Sequence, residues 1–382
     1  MSTPYVEMDQ TVSQLRSALG DVYAVESSTV ARTKPEAVIF RGKLLTDSDS
    51  AFDKIRPRFE SLGFTPQLER MDGRDVVTAM PGIVRAHESN PLINLVLFVL
   101  TVASTFITGG FYGAEAGFNV LNGVLFTVSL LTILGAHELG HYFVARHYNA
   151  PVTLPYFIPL PLISPIGTMG AVIRLKAPFV NRKRLFDVGI AGPLAGLVFA
   201  IPILFIGLST SPVGAAIVCP PGAGCQEGNS IIYALAKYLV FGKFLPSGGE
   251  DVLLSPVAWA AWVGLFVTAL NLLPAGQLDG GHIAFALFGR RARVVGWVVV
   301  AVLFVLALPS LIGFPYNLSF VIPGLYYPGY IGWFVWVGLI YLTGVNHPVP
   351  LNDISDLGMG RKLVGALAIV LFVLLFTPLP FS

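Results

Sequence analysis

After Pro91 the chain consists largely of apolar runs of about 20 residues, the length that crosses the hydrocarbon core of a bilayer as a helix. The sequence is 54% hydrophobic and 12% charged, whereas soluble domains are about 25% charged. Because lipid offers the backbone no hydrogen-bond partners, such runs fold as helices. The pattern predicts a polytopic α-helical membrane protein of about seven spans, near residues 92–110, 119–146, 187–208, 254–273, 294–313, 329–346 and 362–380.

The first 88 residues differ from the rest, since they are rich in charge and carry short periodic segments. Helical spacing and strand-like alternation both occur, and an Asp72-Gly73 pair marks a tight turn between two of the strands. The pattern predicts a small α+β domain over 1–88 and a membrane-embedded domain over 89–382. The front domain is interpreted as a site for a cytoplasmic regulator or, equally, as a folding cap. Its predicted helices are 9–19 and 49–63, and its predicted strands are 36–45, 64–71 and 74–80.

Basic residues orient the predicted spans. Lys and Arg cluster at 174–184, 290–293 and 361–362, while the connections 109–118 and 314–328 contain neither residue. By the positive-inside rule, the clusters and the N-terminal domain are cytoplasmic, or stromal in a plastid. The polar first 20 residues show no signal or transit pattern, so internal helices are expected to drive insertion.

The same orientation places the loop of Cys219 and Cys225 on the extracytoplasmic side, where a structural disulfide is expected. Free thiols and a metal role are the alternatives, and no histidine lies nearby to complete a metal site. The net charge of +2 offers no broad basic surface, so no nucleic-acid partner is expected.

A His-Glu-x-x-His motif, His137-Glu138-Leu-Gly-His141, lies inside the second apolar run. On a helix the two histidines are four residues apart and share one face, so both rings can bind one zinc ion. Glu138 lies beside them as a candidate general base. Ionisable groups at membrane depth are costly and indicate function.

A catalytic zinc site needs a third protein ligand and an open position for water. Asp279 is the strongest candidate, because it lies in a segment, 271–282, that Pro274 and three glycines break at the cytoplasmic end of the fourth run. The alternative is that Asp279 only caps the following helix. His282 is expected to lie at the interface or behind the ligands rather than to bind the metal.

Six prolines exclude a spanning helix over 151–179, although the segment is apolar up to Arg174. A strand is predicted over 167–175, within a re-entrant hairpin beside the metal site. An open strand edge can pair with an extended peptide, so Gly170, Ala171 and Val172 are predicted to bind substrate. The alternative is an inert interfacial loop.

The two motifs together resemble the site-2 protease family of intramembrane zinc metalloproteases. His137-Glu138-Leu-Gly-His141 and Asn271-Leu-Leu-Pro-Ala-Gly-Gln-Leu-Asp279-Gly-Gly-His282 occur in the family's order, and 191–196 is similar to the small-residue patch of its core helix. The resemblance covers roughly 119–285, the catalytic core. It implies that His137, His141 and Asp279 bind zinc, that Glu138 is the base, and that Asn271 contacts substrate near the scissile bond. Together with the seven predicted spans, the front domain is similar to the branch of this family that includes the ethylene-dependent gravitropism-deficient proteins.

The predicted function is therefore hydrolysis of peptide bonds within or near transmembrane segments of membrane-protein substrates. One zinc ion per chain and a surrounding lipid bilayer are expected. A membrane metal transporter and a non-catalytic membrane chaperone on the same fold are the alternatives. The intact Glu138 disfavours both of them.

Overall fold

The N-terminal region is an α+β unit, as predicted. In the computed structural model, which describes residues 4–31, 37–83, 89–113, 117–161, 164–216, 226–313, 315–317 and 326–381, four antiparallel strands form a sheet in the order β1-β2-β4-β3. Its elements are α1 (Pro4–Leu19), β1 (Tyr23–Ala31), β2 (Ala37–Leu44), α2 (Ser48–Ser61), β3 (Phe64–Met71) and β4 (Arg74–Pro81).

The turn between β3 and β4 is the predicted one. Asp72 and Gly73 have φ values of 50° and 77°, the left-handed backbone that a two-residue hairpin turn requires. Strand β1 was not predicted from the sequence. Its middle is polar and exposed, so it lacks the apolar alternation that reveals a half-buried strand.

The rest of the described chain is mainly helical, with three pairs of short antiparallel strands. The helices are α3 (Pro91–Phe111), α4 (Val120–His147), α5 (Arg182–Ser209), α6 (Ile231–Phe241), α7 (Pro256–Asn271), α8 (Asp279–Phe288), α9 (Ala292–Ile312), α10 (Gly332–Thr343) and α11 (Met359–Leu375). The strands are β5 (Tyr156–Pro159) with β6 (Thr168–Val172), β7 (Val213–Ala215) with β8 (Glu250–Val252), and β9 (Tyr316–Asn317) with β10 (Tyr326–Tyr327).

Four helical segments of the described chain are long and apolar enough to cross a bilayer: α3, α4, α5 and the combined stretch Asp279–Ile312. Helices α7, α10 and α11 match the fourth, sixth and seventh predicted spans in position but have only 16, 12 and 17 residues. The membrane-helix class is therefore confirmed, and the count of about seven spans stays a prediction.

Helices α4 and α5 approach closely through small residues. A methyl group added at Gly140 of α4 would meet the carbonyl oxygen of Ala191 at 2.7 Å and the Cβ atom of Ala195 at 2.8 Å. The small residues at 191–196 thus serve close helix packing, as their pattern predicted. This contact brings the His-Glu-x-x-His turn against α5.

The connection 209–253 contains a helix, α6, that the sequence pattern did not predict. On it Lys237 is fully buried, and its Nζ atom lies 3.2 Å from carboxylate oxygens of both Glu227 and Asp251. A buried ammonium needs such partners, and these two tie α6 to the loops on either side. Cys219 and Cys225 lie outside the described residues.

The N-terminal domain docks on the membrane domain through the segment between α10 and α11. The backbone N–H of Leu68, on edge strand β3, donates to Leu351 O at 2.7 Å, and Asp353 N donates back to Leu68 O at 2.9 Å. The Asn352 side chain reaches across to Ser48 O at 3.1 Å. The segment thus extends the exposed edge of the soluble sheet, which leaves that edge partly covered.

Candidate active site

Helix α4 brings His137 and His141 to one buried face. Each is about one-twentieth exposed, and each packs against a glycine of α5. A side chain at Gly192 would collide with the His141 ring, and one at Gly196 would lie 3.3 Å from the Cβ atom of His137. Gly192 is therefore required for the His141 imidazole to fit between the helices, and Gly196 leaves His137 close against α5.

The orientation of His141 is set by α5. Its Nδ1 atom lies 2.7 Å from the carbonyl oxygen of Val188, which can only accept, so Nδ1 carries the proton and donates. Nε2 is then the unprotonated nitrogen, with its lone pair available to a metal.

The break between α7 and α8 places Asp279 opposite the histidines. Helix α7 ends at Asn271, and the chain turns through Gly276, whose φ is +58°, before α8 begins at Asp279. A side chain at Gly281 would meet the backbone carbonyl of Ala275 at 2.7 Å, so the turn folds tightly upon the new helix.

The Asp279 carboxylate does not cap α8. It is the first helical residue, and no side chain caps this helix. Its Oδ2 atom instead lies 3.1 Å from His137 Nε2 and 3.2 Å from His141 Nε2. The capping alternative is therefore wrong, and the carboxylate faces the His-Glu-x-x-His motif.

The three side chains form a donor set that fits zinc. His137 Nε2 and His141 Nε2 are 3.2 Å apart, so the three candidate ligand atoms form a nearly equilateral triangle. Tetrahedral zinc with bonds of about 2.0–2.1 Å separates its ligand atoms by about 3.3–3.4 Å. Among the described residues, this is the cluster of three or more histidines and acids that could hold a metal.

Glu138 and Asn271 flank this triangle. Glu138 is 5% exposed, and its carboxylate lies beside the backbone of Ile173 rather than among the donor atoms. Asn271 Nδ2 lies 3.2 Å from His137 Nε2. The structure thus gathers all three predicted ligands, the predicted base and Asn271 at one place.

A cleft of about 580 Å³ opens from the donor set. Its floor contains His137, Glu138 and His141, and one wall is the continuous segment 171–179. The opposite wall consists of Asn271, Gln277–Asp279, His282 and His347–Pro350. Of the three residues predicted to bind substrate, Ala171 and Val172 line the cleft and Gly170 does not, and their substrate-binding role stays a prediction.

Strand β6 of the hairpin β5–β6 contributes Ala171 and Val172 to the wall formed by 171–179, and the hairpin lies along α3. Asn94 near the start of α3 donates to Leu154 O at 2.8 Å, and Ser104 hydrogen-bonds to Gly167 O ten residues further along the helix. At 1.5 Å per residue, the hairpin extends about 15 Å along a candidate spanning helix. This placement agrees with a re-entrant segment.

One edge of the hairpin faces the cleft. Beyond β6 the chain continues in antiparallel pairing through the Val152–Leu175 bridge. Arg174 O accepts from Thr153 N at 3.1 Å and Lys176 N donates to Pro151 O at 2.9 Å, so both backbones point toward the segment 151–153 that precedes β5. Because successive residues of a strand alternate, the polar backbone groups of Ala171, Ile173 and Leu175 point to the open edge. Glu138 lies at that edge beside Ile173.

The segment 344–350 was not predicted from the sequence as part of the site. His347 Nε2 lies 2.6 Å from His282 Nδ1, and burial lowers the pKa of His347 to about 3, so it is neutral. His282 thus contacts a second histidine and is no member of the donor triangle. A histidine next to two prolines, in Asn-His-Pro-Val-Pro, was the available signal.

Comparison with known proteins agrees with this geometry. Residues 125–309, which include the complete donor set, match peptidase family M50. The match covers just under half of the chain. The resemblance to site-2 proteases that the two motifs carried is thereby confirmed.

Curated relatives agree with the predicted branch. The probable chloroplastic zinc metalloprotease EGY2 of Arabidopsis thaliana is 28% identical over 98% of this chain and 66% of its own length. The probable chloroplastic zinc metalloprotease EGY1 is 28% identical in Oryza sativa subsp. japonica and 26% in Arabidopsis thaliana, in each case over 90% of this chain. The chain spans about two thirds or less of these relatives. The matches support a zinc metalloprotease and do not favour a transporter or chaperone.

Proposed function

We propose that this chain is an intramembrane zinc metalloprotease that hydrolyses peptide bonds within or near transmembrane segments of membrane-protein substrates. The observation that carries the proposal is the donor triangle of His137, His141 and Asp279, with Glu138 beside it and an open strand edge on the same cleft. A transporter would need neither the base nor the edge.

The residues divide the chemistry among them. Zinc held by the triangle would acidify water and polarise the scissile carbonyl. Glu138 takes the proton of the attacking water and returns it to the leaving amine, as a general base and then a general acid. Asn271 extends its amide toward the same space, where it orients the substrate backbone or the developing oxyanion.

Substrate must present an unwound backbone at this point, because a helix hides its carbonyls in internal hydrogen bonds. The open edge at Ala171, Ile173 and Leu175 offers replacement partners, and pairing there holds the substrate extended past Glu138. Helix-weakening residues such as Gly, Pro and Asn in the substrate segment therefore favour cleavage.

The test is reconstitution of the purified protein in liposomes with a tagged single-span substrate. We expect cleavage inside the bilayer-spanning segment, its loss on chelation and its recovery when zinc is added back. A matched substrate with the central Gly replaced by Leu should be cut more slowly. Zinc transport without cleavage would contradict the proposal.

Proline substitutions test the open edge. Ala171→Pro and Leu175→Pro each remove an N–H that faces the cleft without touching the Ile173 backbone beside Glu138, so both should reduce cleavage of a transmembrane substrate at least tenfold. Zinc content should not change, because the ligands lie on other segments. Val172→Ala, which keeps every backbone donor, is the matched control. Normal cleavage rates in both proline variants would leave the hairpin as an interfacial loop.

We further propose the predicted seven-span topology, with the N-terminal domain and the 182–184 and 290–293 turns cytoplasmic, or stromal, and the Cys219/Cys225 loop opposite. Support comes from the basic clusters and from the docking of the front domain beside both turns through Lys183–Asp49 and Arg290–Glu69.

In a variant lacking native cysteines, single cysteines at these sites should label with an impermeant reagent only from the predicted side. Labelling of the 182–184 turn from outside would invert the topology.

Finally, we propose that a cytoplasmic regulator acts through residues 1–88. The docked segment 351–353 directly follows the 347–350 wall of the cleft, so movement of the domain would reach the site.

Asn352→Leu, which removes the side-chain contact to Ser48, should loosen docking and alter the cleavage rate without loss of zinc. Asn122→Leu on α4 is the control. Faster proteolysis of the N-terminal domain would report undocking, and an unchanged cleavage rate with an undocked domain would refute the coupling.

A further inference from the structure

Two basic side chains stand on the cleft wall and play no part in the chemistry described above. Arg174 and Lys176 both line the cleft, immediately beyond the point where Glu138 meets Ile173. Arg174 is exposed and Lys176 half-buried. They lie on the side of Glu138 that leads to the basic turn at 182–184.

Neither side chain has an ion pair within the described part of the chain. Most neighbouring cations are paired: Lys183 with Asp49, Arg290 with Glu69, and Arg361 with Asp187. The carboxylates that line the cleft are Asp279, which lies in the donor triangle, and Glu138, which lies beside that triangle at Ile173. The wall therefore presents two positive charges to whatever lies in the cleft.

The strand register determines how a peptide would meet these charges. Residues 174 and 176 are two apart, so their side chains stand on the same face of the hairpin, while the backbone groups of Ile173 and Leu175 point to the open edge. A substrate strand on that edge places its own alternate side chains opposite Arg174 and Lys176. Opposite charges at such cross-strand positions attract, and like charges repel.

We infer that Arg174 and Lys176 form a subsite for acidic side chains of the substrate, spaced two residues apart on the cytoplasmic side of the scissile bond. The inference rests on the proposed protease function and names its substrate class. It also supplies selectivity, because most membrane proteins carry Lys and Arg at their cytoplasmic flank. A basic flank meets repulsion at this wall, whereas an acidic flank is drawn in.

The experiment uses the full-length protein in zwitterionic liposomes with three reporter substrates that share one transmembrane segment. Their flanks carry Glu-x-Glu, Gln-x-Gln or Lys-x-Lys just cytoplasmic to the cleaved bond. We expect kcat/KM for the Glu reporter to exceed that for the Lys reporter about tenfold, with the Gln reporter between them. The double variant Arg174→Gln/Lys176→Gln should bring this ratio close to one.

Two further variants make the test specific. Arg291→Gln/Arg293→Gln removes the same charge from a cytoplasmic turn outside the cleft wall and should keep the wild-type ratio. Arg174→Glu/Lys176→Glu should invert it, so that the Lys reporter is cut faster. Zinc content and cleavage of the Gln reporter show that each variant is folded.

The outcomes separate this inference from the function on which it rests. Failure of the wild type to cut any reporter would overturn the protease proposal itself. Cleavage of the Gln reporter with equal rates for the Glu and Lys reporters would overturn only the subsite. A charge effect confined to liposomes of anionic lipid would also overturn it, and would assign the two cations to lipid head groups.

Discussion

Replacing Glu138 with Gln is expected to stop peptide hydrolysis while zinc remains bound. The amide cannot accept the proton of the attacking water, and loss of a general base costs about 10²–10⁴-fold in rate. The carboxylate lies beside Ile173 and outside the triangle of donor atoms, so metal content should stay at the wild-type level. Cleavage rate and zinc content are measured on the same reconstituted sample.

Leu139→Ala is the matched control for Glu138→Gln. Leu139 is the next residue on α4 and is 39% exposed, so its truncation leaves the cleft intact. The control should retain both zinc and cleavage. Near-normal cleavage by Glu138→Gln would remove Glu138 from the role of base, and loss of zinc would show that the carboxylate helps to hold the metal.

Replacing Asp279 with Ala is expected to remove zinc and, with it, activity. Asp279 Oδ2 closes the triangle with both histidine nitrogens, and its loss leaves two protein ligands on one helix. Loss of groups that merely support a ligand costs about 10–100-fold in metal affinity, so loss of the ligand itself should exceed 100-fold. Metal analysis after dialysis against a weak chelator measures this directly.

His282→Ala is the control for the metal prediction. His282 lies one turn further along α8 and lines the same cleft, but it contacts His347 rather than the donor triangle. It should therefore keep zinc. Full zinc occupancy in Asp279→Ala would exclude this carboxylate as a ligand, and equal losses in both variants would mean that the triangle is not the binding site.

Much of the site followed from local sequence patterns. The four-residue spacing of His137 and His141 places both rings on one helix face wherever the helix lies. Asp279 was predicted as a ligand from the free-energy cost of placing a carboxylate in a broken apolar segment at the membrane interface. Such a group needs a compensating partner. Both arguments use short-range geometry and solvation, which do not depend on the rest of the fold.

Other parts of the site could not be predicted in this way. The wall at His347–Pro350 and the docking of Leu351–Asp353 on β3 join residues that are hundreds of positions apart in the chain. The polar strand β1 and the helix α6 also lacked a clear signal. Each depends on contacts outside its own segment: β1 pairs with β2, and Lys237 of α6 pairs with Glu227 and Asp251.

The sequence by itself predicted the membrane class, the α+β front domain and the residues proposed as metal ligands and base, because apolar length, charge and helical spacing act locally. Only the tertiary structure decided which edge of the 151–179 hairpin faces Glu138, and that Ala171, Ile173 and Leu175 line the cleft whereas Gly170 does not. Either edge of the hairpin could face Glu138 as far as the local sequence is concerned, because both arrangements bury similar apolar surface. Strand register and helix packing, which form only in the complete fold, select one of them.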